Sequence, residues 1–221
     1  MRVLLFTKFP HPGMVKTRLA RSVGAENAAK LQQAFIEDEL RMLTGMDADV
    51  TLCCDPFRPL ADYERLFGPK FTYRLQQGAD LGDRMMRSLH QALEEAGEPV
   101  MLIGSDLPDL PDRHLREAFE ALLDAQICLG PATDGGFYLL GLREPLPAYI
   151  FAGVAWGGPQ VLARTLDNCA SAGLTCRLLP PWADVDTGED LAAYAGRNQG
   201  RETHTMNLIY SLGLAQKPWK P

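Results

Sequence analysis

Residues 100–109 read VMLIGSDLPD, and this stretch decides the fold. Its first five residues are almost continuously apolar, which is typical of a central parallel strand covered on both faces. The run ends in Ser105 and Asp106, so we expect a carboxylate at the carboxyl end of a buried strand. Pro111 suits the first turn of a helix that we predict through about residue 123, because the N–H that proline lacks would have no partner there.

Short apolar runs alternate with helical patterns on both sides of this strand. Upstream, the pattern predicts strands at residues 3–7, 50–54 and 71–75 and helices at 25–43 and 81–96. Downstream, it predicts strands at 127–130, 136–142 and 175–179, a helix at 157–172, and a helix capped by Thr187 that runs to about residue 196. The two strands at 127–142 lie close together in the chain, which favours an antiparallel pair beside the main sheet.

This alternation predicts an α/β fold, with a mostly parallel but mixed central sheet flanked by helices. We expect one domain over residues 1–200, and a C-terminal tail or packed helix over residues 201–221. Ligands of such open sheets bind in the crevice outside the carboxyl ends of the strands.

Composition argues against several classes of protein. The 22 basic and 28 acidic residues give a formal net charge of −6, so a general basic excess for nucleic acid or anionic lipid is missing. Five dispersed cysteines without a C-x-x-C pair argue against a disulfide framework or a structural zinc site. The opening apolar run is too short for a signal peptide, and no stretch approaches the ~18 residues of a membrane span. We therefore expect a cytoplasmic protein with no nucleic-acid or membrane partner.

A basic loop follows the first predicted strand, where residues 8–19 read KFPHPGMVKTRL. Prolines stiffen this loop, and a glycine permits close approach to a ligand. Arginine can hold phosphate oxygens bidentately, while lysine acts as a point charge. We interpret the loop as a phosphate cradle, with a solvated basic turn as the alternative; its candidate residues are Lys8, Pro12, Gly13, Lys16, Thr17 and Arg18. Neither a Walker A loop nor a G-x-G-x-x-G fingerprint is present, and no histidine has the partners of a Ser-His-Asp hydrolase.

Two acidic segments could hold a divalent cation. Asp106 could bind Mg²⁺ or Mn²⁺ against a diphosphate, because these ions prefer carboxylate and phosphate oxygens. Asp186, or alternatively Asp184, could join it, since the two lie on the same side of an extended segment. A loop carboxylate in an Asx turn is the alternative for Asp106. Ser105 is a further phosphate-binding candidate.

Three other features could contact a substrate. In the turn at residues 131–138, Asp134 could accept a hydrogen bond from a hydroxyl, while Gly135 and Gly136 could expose the backbone to a sugar or acceptor. An ordinary Asp-Gly turn is an equally good reading. Gln77 and Arg84 could face a base or a phosphate. Trp156 could wall the acceptor side of the cleft, although packing more commonly explains one tryptophan.

Four segments in chain order carry a family resemblance: residues 6–19, 104–108, 133–141 and 184–191, which read FTKFPHPGMVKTRL, GSDLP, TDGGFYLLG and DVDTGEDL. Together they resemble the radical-SAM/selenodomain-associated transferases, also called arsenosugar-biosynthesis-type glycosyltransferases. More distantly, the chain is similar to the guanylyltransferases of 2-phospho-lactate and molybdenum-cofactor synthesis, although it lacks the Gly-rich loop of the latter.

The resemblance implies a glycosyltransferase-A fold of the nucleotide-diphospho-sugar transferase superfamily. It also implies that the first-strand loop holds nucleotide phosphates, that Asp106 binds a divalent ion, and that Asp186 completes the shell of that ion. Lys16, Arg18 and Asp106 are then the expected catalytic residues.

Three functions follow as hypotheses. The first is glycosyl transfer from a nucleotide diphosphate-sugar to a small-molecule acceptor. The second is nucleotidyl transfer from a nucleoside triphosphate, with release of pyrophosphate. The third is a non-catalytic nucleotide-binding module. The sequence leaves the base, the sugar, the acceptor and the oligomeric state open.

Overall fold

The computed structural model describes residues 1–216, apart from the side chain of Ala148. Within these residues the strands are β1 (Arg2–Thr7), β2 (Asp49–Cys54), β3 (Thr72–Leu75), β4 (Val100–Gly104), β5 (Ile127–Pro131), β6 (Phe137–Leu142) and β7 (Cys176–Leu178). The helices are α1 (Ala20–Val23), α2 (Ala25–Gly45), α3 (Leu60–Phe67), α4 (Leu81–Ala96), α5 (Asp112–Asp124), α6 (Val161–Ser171), α7 (Gly188–Arg197) and α8 (His204–Ser211), with a 3₁₀ turn at Ala148–Phe151.

The strands form one sheet in the order β3-β2-β1-β4-β6-β5-β7. β6 runs antiparallel to both β4 and β5, and the remaining pairs are parallel. The expected single α/β domain with a mostly parallel, mixed sheet is thus confirmed. The chain turns from one half of the sheet to the other between β1 and β4, and the crevice beyond such a switch point is where open α/β sheets bind ligands.

Alternation along β1 explains how the sheet is covered on both faces. Val3 and Leu5 point into one apolar cluster, which α2, α3 and α5 complete. Leu4 and Phe6 point to the other face, where α4 and α6 pack. Because side chains alternate with a period of two, a strand buried on both faces must be apolar at nearly every position.

Most predicted elements agree with the structure, and α4 and β4 have the predicted bounds. α6 is an exception, because it begins at Val161 rather than at Gly157. Gly157 has a φ of +80°, in the left-handed region, so residues 157–160 form a turn and not the first helical turn. The sequence pattern also misses α1, α3 and the 3₁₀ turn, which are short.

The C-terminal helix α8 packs on α2. Met206 and Ile209 join Leu31 and Phe35 in a third apolar cluster, which also includes residues of α7. The carboxylate of Asp38 in α2 accepts hydrogen bonds from the first two backbone N–H groups of α8, at 2.8 and 2.9 Å. Residues 204–211 are therefore an integral part of the packed structure.

This packing predicts the effect of truncating Met206, which is fully buried. Met206→Ala should lower the free energy of unfolding by about 2–5 kcal/mol, because it removes buried apolar surface and leaves a cavity. Asn207→Ala, at an exposed position of the same helix, should change it by less than about 0.5 kcal/mol. Urea denaturation measures both values; equal effects would contradict the packing of α8.

Candidate functional site

A cleft of about 470 Å³ lies at the switch point of the sheet. The loop after β1, the loop after β4 and the segment before α7 meet there, as the carboxyl ends of neighbouring parallel strands should. Its polar lining comprises Thr7, Lys8, Lys16, Thr17, Arg18, Gln32, Gln76, Ser105, Asp106 and Asp186. We call this space the cation cleft.

Lys16 lies at the centre of the cation cleft. Its Nζ is 2.6 Å from Oδ1 of Asp106 and 3.2 Å from Oδ1 of Asp186. The side chain of Lys16 is only 3% exposed, whereas the two carboxylates are 43% and 36% exposed. The lysine is thus held inside the protein, with two anions between it and solvent.

Burial and charge act on Lys16 in opposite directions. Burial by itself lowers the pKa of the ammonium, but Asp106 and Asp186 together outweigh it and raise the pKa above its usual value. Lys16 therefore stays protonated at neutral pH. Its φ of +48° is uncommon for a residue with a side chain, and such backbone strain concentrates at functional sites.

The other two predicted cations lie closer to solvent. The side chain of Arg18 is 64% exposed and reaches Oδ2 of Asp186 with Nη1 at 3.4 Å. Lys8 is exposed at the start of the loop. Both line the cation cleft, as does Thr17. Three positive groups therefore surround one space, and two of them are accessible to an incoming anion.

Pro12 and Gly13 shape the loop and are not part of the described lining of the cleft. The carbonyl of His11 accepts a hydrogen bond from the N–H of Met14 at 3.0 Å. Gly13 has a φ of +79°, so proline and glycine occupy the second and third positions of a turn of the type II pattern. The turn directs the chain back so that Lys16 can enter the protein.

Buried groups hold the Asp106 loop from below. The amide of Gln32 donates to both the carbonyl and the hydroxyl oxygen of Ser105, each at 3.1 Å. Oε1 of Glu39 accepts the N–H of Leu107 at 2.8 Å. Burial raises the pKa of Glu39 well above its usual value. Two side chains of α2 thus fix the backbone on either side of Asp106.

Asp109 joins the same loop to the segment that carries Asp186. Its carboxylate accepts hydrogen bonds from Trp182 at 3.3 Å, from Arg197 at 2.6 and 3.2 Å, and from Asn198 at 2.6 Å. Asp109 does not cap α5, because that helix begins after Pro111 without a side-chain cap. The residue instead ties α7 to the β4 loop.

Asp106 and Asp186 can share one cation. An oxygen of each lies within 3.2 Å of the same ammonium nitrogen, so the lysine acts as a stand-in ion between them. Carboxylate oxygens are the donors that Mg²⁺ and Mn²⁺ prefer, and Mg²⁺ commonly takes one or two of them with substrate phosphates completing its shell. The described residues include no cluster of three or more acidic, histidine or cysteine side chains that could hold a metal by themselves. The residues present therefore fit an ion that is bound together with a phosphate.

Asp184 is half-buried and lies outside the described lining of the cation cleft. Burial, reinforced by the negative charge of Asp134, raises the pKa of Asp184 to about 6. Of the two aspartates considered from the sequence, Asp186 is the one that meets Asp106.

A second pocket of about 200 Å³ adjoins the cation cleft and shares Phe6, Leu81 and Gly104 with it. Asp134, Gly136 and Trp156 line this second pocket, which we call the apolar pocket. Gly135 is not part of the described lining, and a Cβ on it would overlap the backbone carbonyl of Pro159. The sequence-predicted acceptor residues thus lie together, beside the predicted phosphate site.

Gln77 and Arg84 do not belong to the described lining of either space. Arg84 instead approaches the carbonyl of Gly78 at 3.4 Å. Gln76, one position earlier, lines the cation cleft and donates to the carbonyl of Cys53 at 2.8 Å. Both glutamines follow the end of β3; Gln76 is buried, whereas Gln77 is exposed.

Gln32 and Glu39 are buried residues that the sequence pattern does not single out. A signal is nevertheless present, because both share the helical face of Ile36 and Leu43, which are fully buried. Polar side chains on such an apolar stripe require buried partners. Here those partners are the backbone and hydroxyl groups of the Asp106 loop.

Among the described residues, no helix is long and apolar enough to cross a membrane.

Comparison with known proteins gives relatives over nearly the whole chain. A crystal structure from Desulfovibrio desulfuricans G20, provisionally named a nucleotide-diphospho-sugar transferase, has a TM-score of 0.91 and 35% identity, and the match covers 96% of this chain and 95% of that one. The 2-phospho-L-lactate guanylyltransferase of Methanocaldococcus sp. (strain FS406-22) is 22% identical over 204 residues, which are 90% of this chain and 83% of the relative.

A more distant structure shares the fold alone. The 4-diphosphocytidyl-2C-methyl-D-erythritol synthase of Anaerococcus prevotii DSM 20548 has a TM-score of 0.56 and 10% identity, and the match covers 89% of this chain and 99% of that one. These structures share the α/β sheet architecture described above. Finally, the sequence profile of a family described as "Uncharacterized protein conserved in bacteria (DUF2064)" matches residues 39–158. Since this match spans more than half of the chain, the protein belongs to the DUF2064 family.

Proposed function

We propose that this protein is a metal-dependent transferase that moves a glycosyl group from a nucleotide diphosphate-sugar to a small-molecule acceptor. The convergence of Lys16, Asp106 and Asp186 at one point of the cation cleft is the observation that carries the proposal. The similarity to the Desulfovibrio protein and the resemblance to radical-SAM/selenodomain-associated transferases support the nucleotide-activated donor.

The cations of the cleft bind the diphosphate of the donor. Lys8 and Arg18 are exposed and offer ammonium and guanidinium donors to phosphate oxygens. Lys16 is a permanent positive charge at the bottom of the same space. These charges favour departure of the diphosphate, because they stabilise the negative charge that grows on it as the glycosidic bond breaks.

Asp106 and Asp186 would hold the divalent ion. When bound, the ion would neutralise diphosphate charge in the manner of a Lewis acid. The hydroxyl of Ser105 and the exposed side chain of Thr17 line the cleft beside the carboxylates and add hydrogen-bond donors for phosphate. Gln32 and Glu39 keep the Asp106 loop in place for this task.

Nucleotidyl transfer is the second candidate, and the guanylyltransferase relative favours it. The same cations would then hold a nucleoside triphosphate, a phosphorylated acceptor would attack its α-phosphate, and pyrophosphate would leave. A non-catalytic nucleotide-binding module is the third candidate; it would bind nucleotides in the same cleft without turnover.

The released product separates these functions. We expect incubation with nucleotide sugars, Mg²⁺ or Mn²⁺ and an acceptor panel to release a nucleoside diphosphate, detected by anion-exchange chromatography. Pyrophosphate release from nucleoside triphosphates would select the second function. Nucleotide-dependent thermal stabilisation without either product would select the third, and absence of any nucleotide response would contradict all three.

Loss of a carboxylate should remove the effect of metal. A nucleoside diphosphate that binds the folded protein raises its melting temperature through linkage, and we expect Mn²⁺ to increase that shift in the wild type. Asp106→Asn or Asp186→Asn should abolish the additional shift, because each variant removes a charged ligand oxygen. Asp112→Asn, on the outer surface at the start of α5, is the matched control and should keep it. A full Mn²⁺ effect in Asp106→Asn would refute the metal role of Asp106.

Removing the buried ammonium should have two opposite effects. Lys16→Met should weaken nucleoside diphosphate binding by about 10–100-fold, because it leaves the negative charges of Asp106 and Asp186 uncompensated beside the phosphates. The same variant should bind Mn²⁺ alone more tightly than the wild type does, because no ammonium competes for the two carboxylates. Titration calorimetry measures both affinities, and Lys30→Met on the exposed side of α2 serves as control. Unchanged affinities for both ligands would show that Lys16 has no part in the site.

A further inference from the structure

The apolar pocket has walls unlike those of the cation cleft. Met85, Leu102, Phe137, Trp156 and Val161 contribute apolar side chains to it. Among the described residues that line it, Asp134 is the sole charged side chain. The hydroxyl of Tyr138, which also lines the pocket, already bonds the carbonyl of Pro180 and the ring of His114, each at 3.0 Å.

Trp156 is fixed in place as one wall of this pocket. Its ring stands edge-on to Phe151 at 5.2 Å and to Phe137 at 6.4 Å between centroids. On the side of α4 it packs so closely on Gly82 that a Cβ there would come within 2.6 Å of the indole. The tryptophan is nevertheless only partly buried, so the rest of its surface is available to a ligand.

Asp134 provides one polar contact at the rim. Its Oδ1 accepts the N–H of Gly136 at 2.9 Å, which orients the carboxylate within its own turn. The side chain is exposed, so it keeps capacity to accept a hydrogen bond from a ligand hydroxyl. Beyond Asp134, only backbone groups of the lining glycines could replace the hydrogen bonds to water that the other hydroxyls of a sugar would lose against these apolar walls, which is unfavourable.

We infer, building on the proposed function, that the apolar pocket receives an aromatic or alicyclic ring of the acceptor, with a single hydroxyl of that ligand at Asp134, and not a sugar. The volume fits, because a dry apolar cavity of about 150 Å³ already admits benzene and this one has about 200 Å³. The position also fits, since Phe6, Leu81 and Gly104 line both spaces and a ring bound here lies directly beside the phosphate site.

Two small probes of similar ring size test this inference. Benzyl alcohol carries an apolar ring and one hydroxyl, whereas methyl α-glucopyranoside carries a ring of hydroxyls. Ligand-observed NMR on the full-length protein should show binding of benzyl alcohol, and excess glucoside should not displace it. Trp156→Ala should weaken the binding of benzyl alcohol by about tenfold or more, because it removes the aromatic wall. The matched control is Tyr149→Ala, because Tyr149 is an exposed aromatic residue outside the described lining. This variant should bind benzyl alcohol as the wild type does.

A second variant keeps the inference testable if Trp156→Ala does not fold. Val161→Phe adds volume inside the pocket instead of removing a wall, and it should also abolish benzyl alcohol binding while the melting temperature reports the folded state. The inference is overturned if benzyl alcohol does not bind the wild type, or if the glucoside displaces it. It is also overturned if Trp156→Ala and Val161→Phe are folded and bind benzyl alcohol as tightly as the wild type does.

A measurement of nucleotide binding distinguishes failure of this inference from failure of the proposed function. Trp156→Ala should retain the thermal shift with nucleoside diphosphate and Mn²⁺, because the cation cleft is intact. A retained nucleotide shift without benzyl alcohol binding would refute the inference and leave the proposed function standing. Benzyl alcohol binding in a wild type that shows no nucleotide response would refute the proposed function and, with it, the assignment of the ring to an acceptor.

Discussion

The ion bridge from Lys16 to Asp106 and Asp186 is the interaction on which the site depends. A buried ammonium without partners would be strongly unfavourable, so the lysine requires both carboxylates. These three residues follow β1, follow β4 and precede α7, and they meet only when the parallel strands are in register and α7 is docked. The main-chain N–H of Val185 adds a direct bond of 2.9 Å to the carbonyl of Asp106. The ion bridge of Lys16, Asp106 and Asp186 therefore forms together with the fold.

The supports of this bridge account for several of the buried polar side chains, among them Gln32, Glu39 and Asn198. Asp109 gathers donors from the segment before α7 and from the end of that helix, so its loss would leave buried donors unpaired and free α7 from the β4 loop. Gln32 and Glu39 act on the other side, through α2. Rigid support of this kind keeps binding groups oriented before a ligand arrives, which reduces the entropy cost of binding.

Local sequence patterns predict the sheet well because each strand near the switch point is buried on both faces and therefore almost wholly apolar. They also place Asp106 at the carboxyl end of β4, because the apolar run that predicts this strand ends two residues before it. They do not predict which of two adjacent residues faces the cleft, as for Gln76 and Gln77. They also miss polar residues whose role depends on a partner far away in the chain, as for Glu39 and the N–H of Leu107. The start of α6 is missed for a different reason, because the left-handed backbone of Gly157 is set by the turn around it.

The antiparallel direction of β6 is what places the apolar pocket next to the cation cleft. β6 pairs with β4 so that Leu139 lies opposite Ile103, and the beginning of β6 is therefore at the carboxyl end of β4. A parallel strand in this position would begin at the opposite edge of the sheet, some four residues or about 13 Å away at ~3.3 Å per residue. Asp134 and Phe137 would then be remote from Asp106. The reversal of one strand thus brings the apolar pocket of about 200 Å³ beside the charged cation cleft of about 470 Å³.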